Sequence, residues 1–179
     1  MAGDNHIFSS WNTVTKEPIE NCYTEILFES LLKESGGNIQ EPVIIQGLGG
    51  GILPARLANY GIKTIVIELS RDVISMYNVF KPHLYEWSPN TEEYMVVIEG
   101  DALEILPVYE LSTWIVSDMP PCYQDVSKKC LDMLHTLTLK GKRIIANIWS
   151  VYTNNITTFL GGRIINTNPE GVSVWTNVS

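Results

Sequence analysis

The chain has 179 residues, of which 45% are hydrophobic, and its formal net charge is -8 at pH 7. This size and composition predict a single domain over residues 1–179. The net negative charge argues against nonspecific binding of nucleic acid or of anionic membrane surfaces. The opening residues lack the pattern of a signal peptide, and no apolar run is long enough to span a membrane, so we expect a cytoplasmic protein.

The cysteines and histidines are scattered along the sequence. The three cysteines form no CxxC pair, and the three histidines have no zinc-ligand spacing. The sequence therefore predicts neither a disulfide framework nor a metal site, which fits a reducing compartment.

Short β-branched runs alternate with helical patterns along the chain. An extension over residues 1–18 precedes an amphipathic first helix at 19–34, which we expect to lie as a lid over a pocket. Strands are predicted at 43–46, 64–67, 94–98, 113–117, 143–148, 163–166 and 172–178. Helical segments are predicted at 52–60, 72–80, 102–106 (a short turn) and 127–139.

The order of these elements predicts the fold class. Strands that alternate with helices form a parallel sheet with right-handed crossovers. The last two strands are joined by a turn-rich stretch, residues 167–171, which is too short for a crossover helix, so they are predicted to form an antiparallel hairpin. The expected fold is α/β: a Rossmann-like, doubly wound, seven-stranded sheet in an α/β/α sandwich, mostly parallel with an antiparallel last strand.

A glycine-rich turn follows the first predicted strand of this sheet. It reads Gly47-Leu48-Gly49-Gly50-Gly51 and leads directly into a helical pattern at Ile52. Such a run destabilises a helix or a strand, but in a strand-turn-helix loop it lets the backbone approach a nucleotide closely. The phosphate-binding pattern GxxxxGK[ST] is excluded, because the glycine turn is followed by Ile-Leu-Pro and not by lysine and serine or threonine. The four glycines are predicted cofactor-binding residues.

Acidic residues stand where the next three strands end. Glu68 is placed to accept hydrogen bonds from ribose hydroxyls, and Asp101 to accept one from an adenine amino group, although aspartate at this position also caps the following turn. Asp118 follows the fourth strand. With Leu69 and Ala102 as neighbouring cofactor residues, these side chains predict one crevice at the switch point of the sheet.

Together these motifs resemble class I S-adenosylmethionine-dependent methyltransferases, and most closely the spermidine synthase-like branch. The likeness rests on GLGGGILPARL, IELSRDVISMYNVF, GDALEIL, WIVSD and the closing NPEGVSVWTNVS. CYTEIL, residues 22–27, is similar to an upstream Tyr-His-Glu element, with Thr24 replacing the histidine. The resemblance implies S-adenosylmethionine or its decarboxylated form as cofactor, Asp118 as the catalytic residue that takes the released proton, and Tyr23 and Glu25 on the substrate side.

Two departures from that branch bear on function. Its glycine loop contains an aspartate that holds the amine of the decarboxylated cofactor, whereas this loop has only Gly49 and Gly50 there. Its catalytic segment carries a second aspartate, whereas Asp118 is followed by Met-Pro-Pro. The prediction is therefore a methyltransferase whose acceptor stays open. An aminopropyltransferase is one alternative, and a catalytically degenerate nucleoside-binding or interaction module is another.

The segment after Asp118 carries a further resemblance. DMPPCY, residues 118–123, resembles the Asp-Pro-Pro-Tyr loop of amino-directed methyltransferases with two extra residues, which adds Tyr123 to the substrate side. The expected partners are a nucleoside cofactor and an acceptor, and we do not expect nucleic acid to bind. An open pocket is compatible with a homodimer.

Overall fold

The computed structural model describes residues 11–12, 14–19, 23–118, 124–149, 153–167 and 172–179. A two-stranded hairpin of β1 (Trp11–Asn12) and β2 (Glu17–Pro18) precedes a seven-stranded sheet. The strands of the sheet are β3 (Val43–Gln46), β4 (Thr64–Glu68), β5 (Met95–Glu99), β6 (Trp114–Ser117), β7 (Arg143–Trp149), β8 (Arg163–Thr167) and β9 (Val172–Thr176).

The strand order is β5-β4-β3-β6-β7-β9-β8. Strands β3 to β7 pair in parallel, whereas β9 pairs antiparallel with both β7 and β8. The predicted doubly wound sheet with an antiparallel last strand is confirmed. The chain order reverses between β3 and β6, so their carboxyl ends open a crevice at the switch point.

Helices cover both faces of the sheet. They are α1 (Tyr23–Ser35), α2 (Ile52–Asn59), α3 (Arg71–Trp87), α4 (Thr91–Tyr94), α5 (Gln124–Leu139) and α6 (Thr153–Leu160), with a 3-10 helix at Leu106–Leu111. One core cluster joins α1, α2 and α3 to the sheet, and a second joins α5, α6 and the 3-10 helix to the opposite face. Near-continuous apolar strands suit this two-sided burial, and all four residues of β3 are buried.

The first helix is part of the first core cluster. Leu27 and Leu31 of α1 are fully buried, and α1 contacts α2, β7 and β9. Its described part begins at Tyr23 and ends at Ser35, later at both ends than the predicted range 19–34. Tyr23, the first described residue of the helix, also packs against this cluster.

Several predicted boundaries differ from the structure. Helix α3 was predicted to end at residue 80 but continues through Pro82, because the fully buried Leu84 packs in the core and offsets the hydrogen bond that proline cannot donate. The short turn predicted at 102–106 is present at residues 102–104, and a 3-10 helix begins at Leu106, the last residue of that range. Helices α4 and α6 were not predicted. The sequence of α6 is rich in Thr and Asn, which favour helices weakly, and burial of Ile156 stabilises it instead.

None of the helices in the described part of the chain combines the length and the apolar character that a membrane span needs.

Candidate cofactor and catalytic site

The glycine loop joins β3 to α2 with a backbone that only glycine adopts readily. Gly47, Gly49 and Gly51 have φ values of 97°, 51° and 76°. A Cβ at Gly47 would lie 2.9 Å from the carbonyl oxygen of Asp118, and one at Gly51 would lie 2.7 Å from the Tyr77 ring. Two of the four predicted cofactor glycines therefore also let the loop fit against the protein itself.

Glu68 fastens this loop to the end of the neighbouring strand. One oxygen, Oε2, accepts a hydrogen bond from the backbone N–H of Leu48 at 2.9 Å. The other, Oε1, accepts one from the backbone N–H of Ser70 at 2.8 Å. The carboxylate is thus held at the crevice by backbone donors, and each of its oxygens retains a lone pair for a further donor. The adjacent Leu69 is largely exposed.

Asp101 closes the turn after β5. Its Oδ1 accepts from the N–H of Leu103 at 2.8 Å, so the capping role that the sequence suggested is present. The buried Ala102 directs its carbonyl to the hydroxyl of Tyr109 at 2.9 Å. Both residues follow the strand that pairs with β4, which places them at the same edge of the sheet as Glu68.

Asp118 lies at the centre of the crevice, directly after β6. Nδ2 of Asn147 donates a hydrogen bond to its Oδ1 at 3.0 Å, and Tyr23 makes a side-chain hydrogen bond to the same carboxyl group. Burial is the main cause that raises the pKa of Asp118 to about 7, and the negative charge of Glu68 adds to it, while the two hydrogen bonds act in the opposite direction. A carboxyl with this pKa can accept and release a proton near neutral pH.

Because the pKa of Asp118 is raised, we expect the stability advantage of Asp118→Asn over the wild type to grow as pH rises. The folded chain holds the Asp118 proton up to a pH of about 7, against 3.8 for an ordinary aspartate, so the wild type loses stability as pH rises between these values. Asparagine does not titrate. We expect Asp118→Asn to be more stable than the wild type by about 2 to 4 kcal/mol at pH 8 and nearly equal to it at pH 4.

Urea unfolding at the two pH values measures this difference. A stability difference of the same size at both pH values would contradict the raised pKa, because only a titrating group makes the difference grow with pH.

The residues predicted on the substrate side separate in the structure. Tyr23, at the start of α1, reaches Asp118. Glu25 forms an ion pair with Arg56, with 2.6 Å between Oε1 and Nη1. The Arg56 guanidinium lies over the rings of Phe28 and Trp87, at 5.4 and 5.7 Å from their centroids. Glu25 therefore joins α1 to α2, and Tyr123 falls outside the described residues.

A cleft of about 400 Å³ lies between the turn after Asp101 and helix α5. Its walls contain Asp101, Leu103 and Met133, and of the predicted cofactor residues only Asp101 lines it. The crevice at the strand ends, and not this cleft, contains Glu68 and Asp118. No cluster of three potential metal ligands occurs among the residues that the structure describes.

One residue of the site was missed in the sequence. Asn147 interrupts the apolar strand β7, and the pairing of Ser117 with Ala146 brings it beside Asp118. The only indication in the sequence was the amide side chain of Asn147 within the apolar run RIIANIW. Its partner could be identified only from the register of β6 and β7.

Comparison with known proteins rests on structure alone. No protein-family model matches the sequence, and no curated protein matches it significantly. Similar solved structures include an RNA methyltransferase from Salinibacter ruber in complex with S-adenosyl-L-homocysteine, with a TM-score of 0.56 and 13% identity over 85% of this chain and 89% of that one. Ribosomal protein L11 methylase from Lactobacillus delbrueckii subsp. bulgaricus has a TM-score of 0.60 and 14% identity, over 87% of this chain and 78% of the other.

A third similar structure is the C-terminal domain of precorrin-6Y C5,15-methyltransferase from Rhodobacter capsulatus. Its TM-score is 0.58 and its identity 15%, over 88% of this chain and 91% of that one. The fold of the chain is therefore that of the class I S-adenosylmethionine-dependent methyltransferases. These identities establish the fold alone, and none of these neighbours supports the narrower resemblance to the spermidine synthase-like branch.

Proposed function

We propose that the protein is an S-adenosylmethionine-dependent methyltransferase in which Asp118 accepts the proton of the methyl acceptor. The observation that carries the proposal is the grouping at one sheet edge of a glycine loop, the Glu68 carboxylate that is bonded to this loop, and a carboxyl with a pKa of about 7. Solved neighbours of the same fold hold S-adenosyl-L-homocysteine or S-adenosylmethionine, which supports the choice of cofactor.

The groups present at the crevice fit this cofactor chemically. Glu68 offers acceptors for two hydroxyl groups, and Asp101 offers one for an amino group. Helix α2 begins at Ile52, its N-cap residue Gly51 offers no side-chain cap, and the loop from Gly47 to Gly51 contains no acidic residue. Uncapped N–H groups at a helix start favour an anion, so the α-carboxylate of the intact cofactor is accommodated there.

The chemistry asks little of the protein beyond alignment and one base. S-adenosylmethionine supplies a methyl group on a sulfonium, so the acceptor's lone pair forms the new bond to carbon, the carbon–sulfur pair stays on sulfur, and the acceptor's proton is released. Asp118, whose pKa of about 7 lies near neutral pH, is the base for that proton. Tyr23, at the start of α1, makes a side-chain hydrogen bond to the same carboxyl.

The acceptor is not specified by the neighbours. Their names describe an RNA methyltransferase, a ribosomal protein methylase and a precorrin methyltransferase, which act on chemically unrelated acceptors. The fold therefore leaves the acceptor open.

The aminopropyltransferase alternative rests on the motif resemblance of the sequence. The electrostatics of the loop argue against it, because a loop without a carboxylate offers no charged acceptor for the amine of the decarboxylated cofactor. The loss of a hydrogen bond to a charged group typically costs about 1.5–3 kcal/mol. A module that binds a nucleoside without turnover is the remaining alternative.

Titration calorimetry tests these three functions together. The protein is titrated with S-adenosylmethionine, with its decarboxylated form and with S-adenosylhomocysteine. We expect the intact cofactor to bind at least about tenfold more tightly than the decarboxylated form, which corresponds to about 1.4 kcal/mol. Preference for the decarboxylated form would favour aminopropyl transfer. Binding of none of the three would overturn the proposed function, and binding of S-adenosylhomocysteine alone would favour a module without turnover.

A further inference from the structure

Asn147 is an unusual residue for its place in the sheet. It belongs to β7, whose neighbouring residues Ile145, Ala146 and Ile148 are buried and apolar. Strand β7 lies in the interior of the sheet, between β6 and β9, so its side chains pack against helices on both faces. A polar amide in such a strand requires a specific partner.

The partner of Asn147 is the carboxyl group at the centre of the crevice. Val116 pairs with Ile145 and Ser117 with Ala146, so the next position in register sets Asp118 beside Asn147. Because side chains alternate along a strand, Asn147 shares the face of Ile145, which is the face that α1 covers. Its Nδ2 donates to Oδ1 of Asp118 at 3.0 Å.

The other end of the same amide has no such partner. Oδ1 of Asn147 is buried and accepts no hydrogen bond from the residues that the structure describes. A buried carbonyl without a donor destabilises the fold, so stability alone does not explain an asparagine here. The hydrogen bond to Asp118 is the property that an apolar side chain of similar shape would lack.

We propose that Asn147 is a positioning residue, whose hydrogen bond favours the ionised form of the Asp118 carboxyl and fixes it in one orientation so that it can take the acceptor's proton. This inference rests on the proposed function of Asp118. Hydrogen-bond donation to a carboxylate stabilises the charged form, and Asn147 acts in this direction on Asp118.

The other groups that act on Asp118 come from two further elements. Tyr23 of α1 donates to the same carboxyl group, whereas Glu68 at the end of β4 opposes its ionisation through like charge. Strand β7 thus contributes a neutral donor that counteracts burial and the charge of Glu68. Without it, burial and the charge of Glu68 would shift the carboxyl further toward its protonated form, which cannot accept a proton.

The test measures the titration of Asp118 directly. Aspartate is labelled with ¹³C at the carboxyl carbon, and the Asp118 resonance is assigned by its absence from Asp118→Asn. We expect Asn147→Ala and Asn147→Leu each to move the midpoint from about 7 upward by about one pH unit. An unchanged midpoint in both variants would overturn the proposal.

Stability provides a second readout that separates positioning from packing. Asn147→Leu removes the unpartnered carbonyl, so its melting temperature should equal or exceed that of the wild type. Asn177 is the matched control, because its Nδ2 donates to the carbonyl of Lys142 and its Oδ1 accepts from the N–H of Ile144. Asn177→Leu should lower the melting temperature and leave the Asp118 midpoint unchanged. A loss of stability in Asn147→Leu as large as in Asn177→Leu would assign Asn147 a structural role instead.

Failure of this inference can be told apart from failure of the proposed function. The carboxyl titration requires no cofactor, so it reports the contact between Asn147 and Asp118 by itself. Binding of S-adenosylmethionine with an unmoved midpoint would remove the role of Asn147 and leave the function standing. Absence of cofactor binding with a shifted midpoint would keep the contact but overturn its part in methyl transfer.

Discussion

Replacement of Glu68 by alanine is expected to weaken binding of S-adenosylmethionine about 100-fold, which corresponds to about 2.7 kcal/mol. Two losses combine in this variant. The ribose hydroxyls lose a charged acceptor, and the N–H of Leu48 loses the carboxylate oxygen that holds the glycine loop at 2.9 Å. Calorimetry with the purified variant measures the change in dissociation constant.

Glu99 offers a matched control for this variant. It pairs in register with Glu68 at the end of the neighbouring strand, but it is exposed and forms an ion pair with Arg71. Glu99→Ala removes the same charge from the same edge of the sheet without touching the loop, so cofactor affinity should change less than about threefold. Equal losses in the two variants would indicate a general effect of charge, and the assignment of Glu68 to the ribose would be wrong.

Removal of Glu68 also predicts a change at Asp118. The charge of Glu68 is one of the causes that raise the pKa of Asp118, so Glu68→Ala should lower the midpoint of the Asp118 titration below about 7. Neighbouring carboxyl groups in one crevice are therefore coupled, and the carboxyl titration described for Asn147 detects this coupling in the same experiment.

Replacement of Gly51 by alanine is expected to destabilise the fold by about 3 kcal/mol. A φ of 76° is unfavourable for alanine by about 1 kcal/mol, and the new Cβ would lie 2.7 Å from Tyr77 and 3.1 Å from Leu84 in the core. Gly51 is also the N-cap residue of α2, so relief of this overlap would shift the loop. Urea unfolding of the variant gives the free energy of unfolding directly.

Gly141 separates the two contributions. Its φ is 75°, but a Cβ there would meet no atom within 4 Å. Gly141→Ala should therefore cost only the backbone term of about 1 kcal/mol. A similar loss in the free energy of unfolding for both variants would show that the side chains around Tyr77 move aside without a large penalty. Steric overlap would then not explain the glycine at position 51.

The sequence predicted the sheet well because its strongest signals are local. Alternating strands and helices, the glycine turn and the acidic residues at Glu68, Asp101 and Asp118 are each contained within a few positions. The carboxyl ends of parallel strands meet at one edge whatever the details of packing, so these residues could be placed near one another before the structure was known.

Contacts that depend on register or on distant segments could not be predicted in this way. Asn147 meets Asp118 only through the alignment of β6 with β7, and Glu25 meets Arg56 only through the packing of α1 on α2. The position of β9 between β7 and β8 is likewise a property of the assembled sheet, since a hairpin alone does not determine which of its strands lies inside. Helix α6 has weak intrinsic propensity and forms through its buried contacts.

The interior position of β9 has a consequence during synthesis of the chain. All five residues of β9 are buried. Strand β8 lies at the edge of the sheet and, among the strands that the structure describes, pairs only with β9, which connects it to the other strands. A ribosome releases β8 before β9, so the nascent chain must keep β7 as an unpaired apolar edge until Thr176 has emerged. The half of the sheet from β3 to β6 can pair earlier, whereas the other end of the sheet stays exposed to chaperones and to aggregation until the last strand inserts.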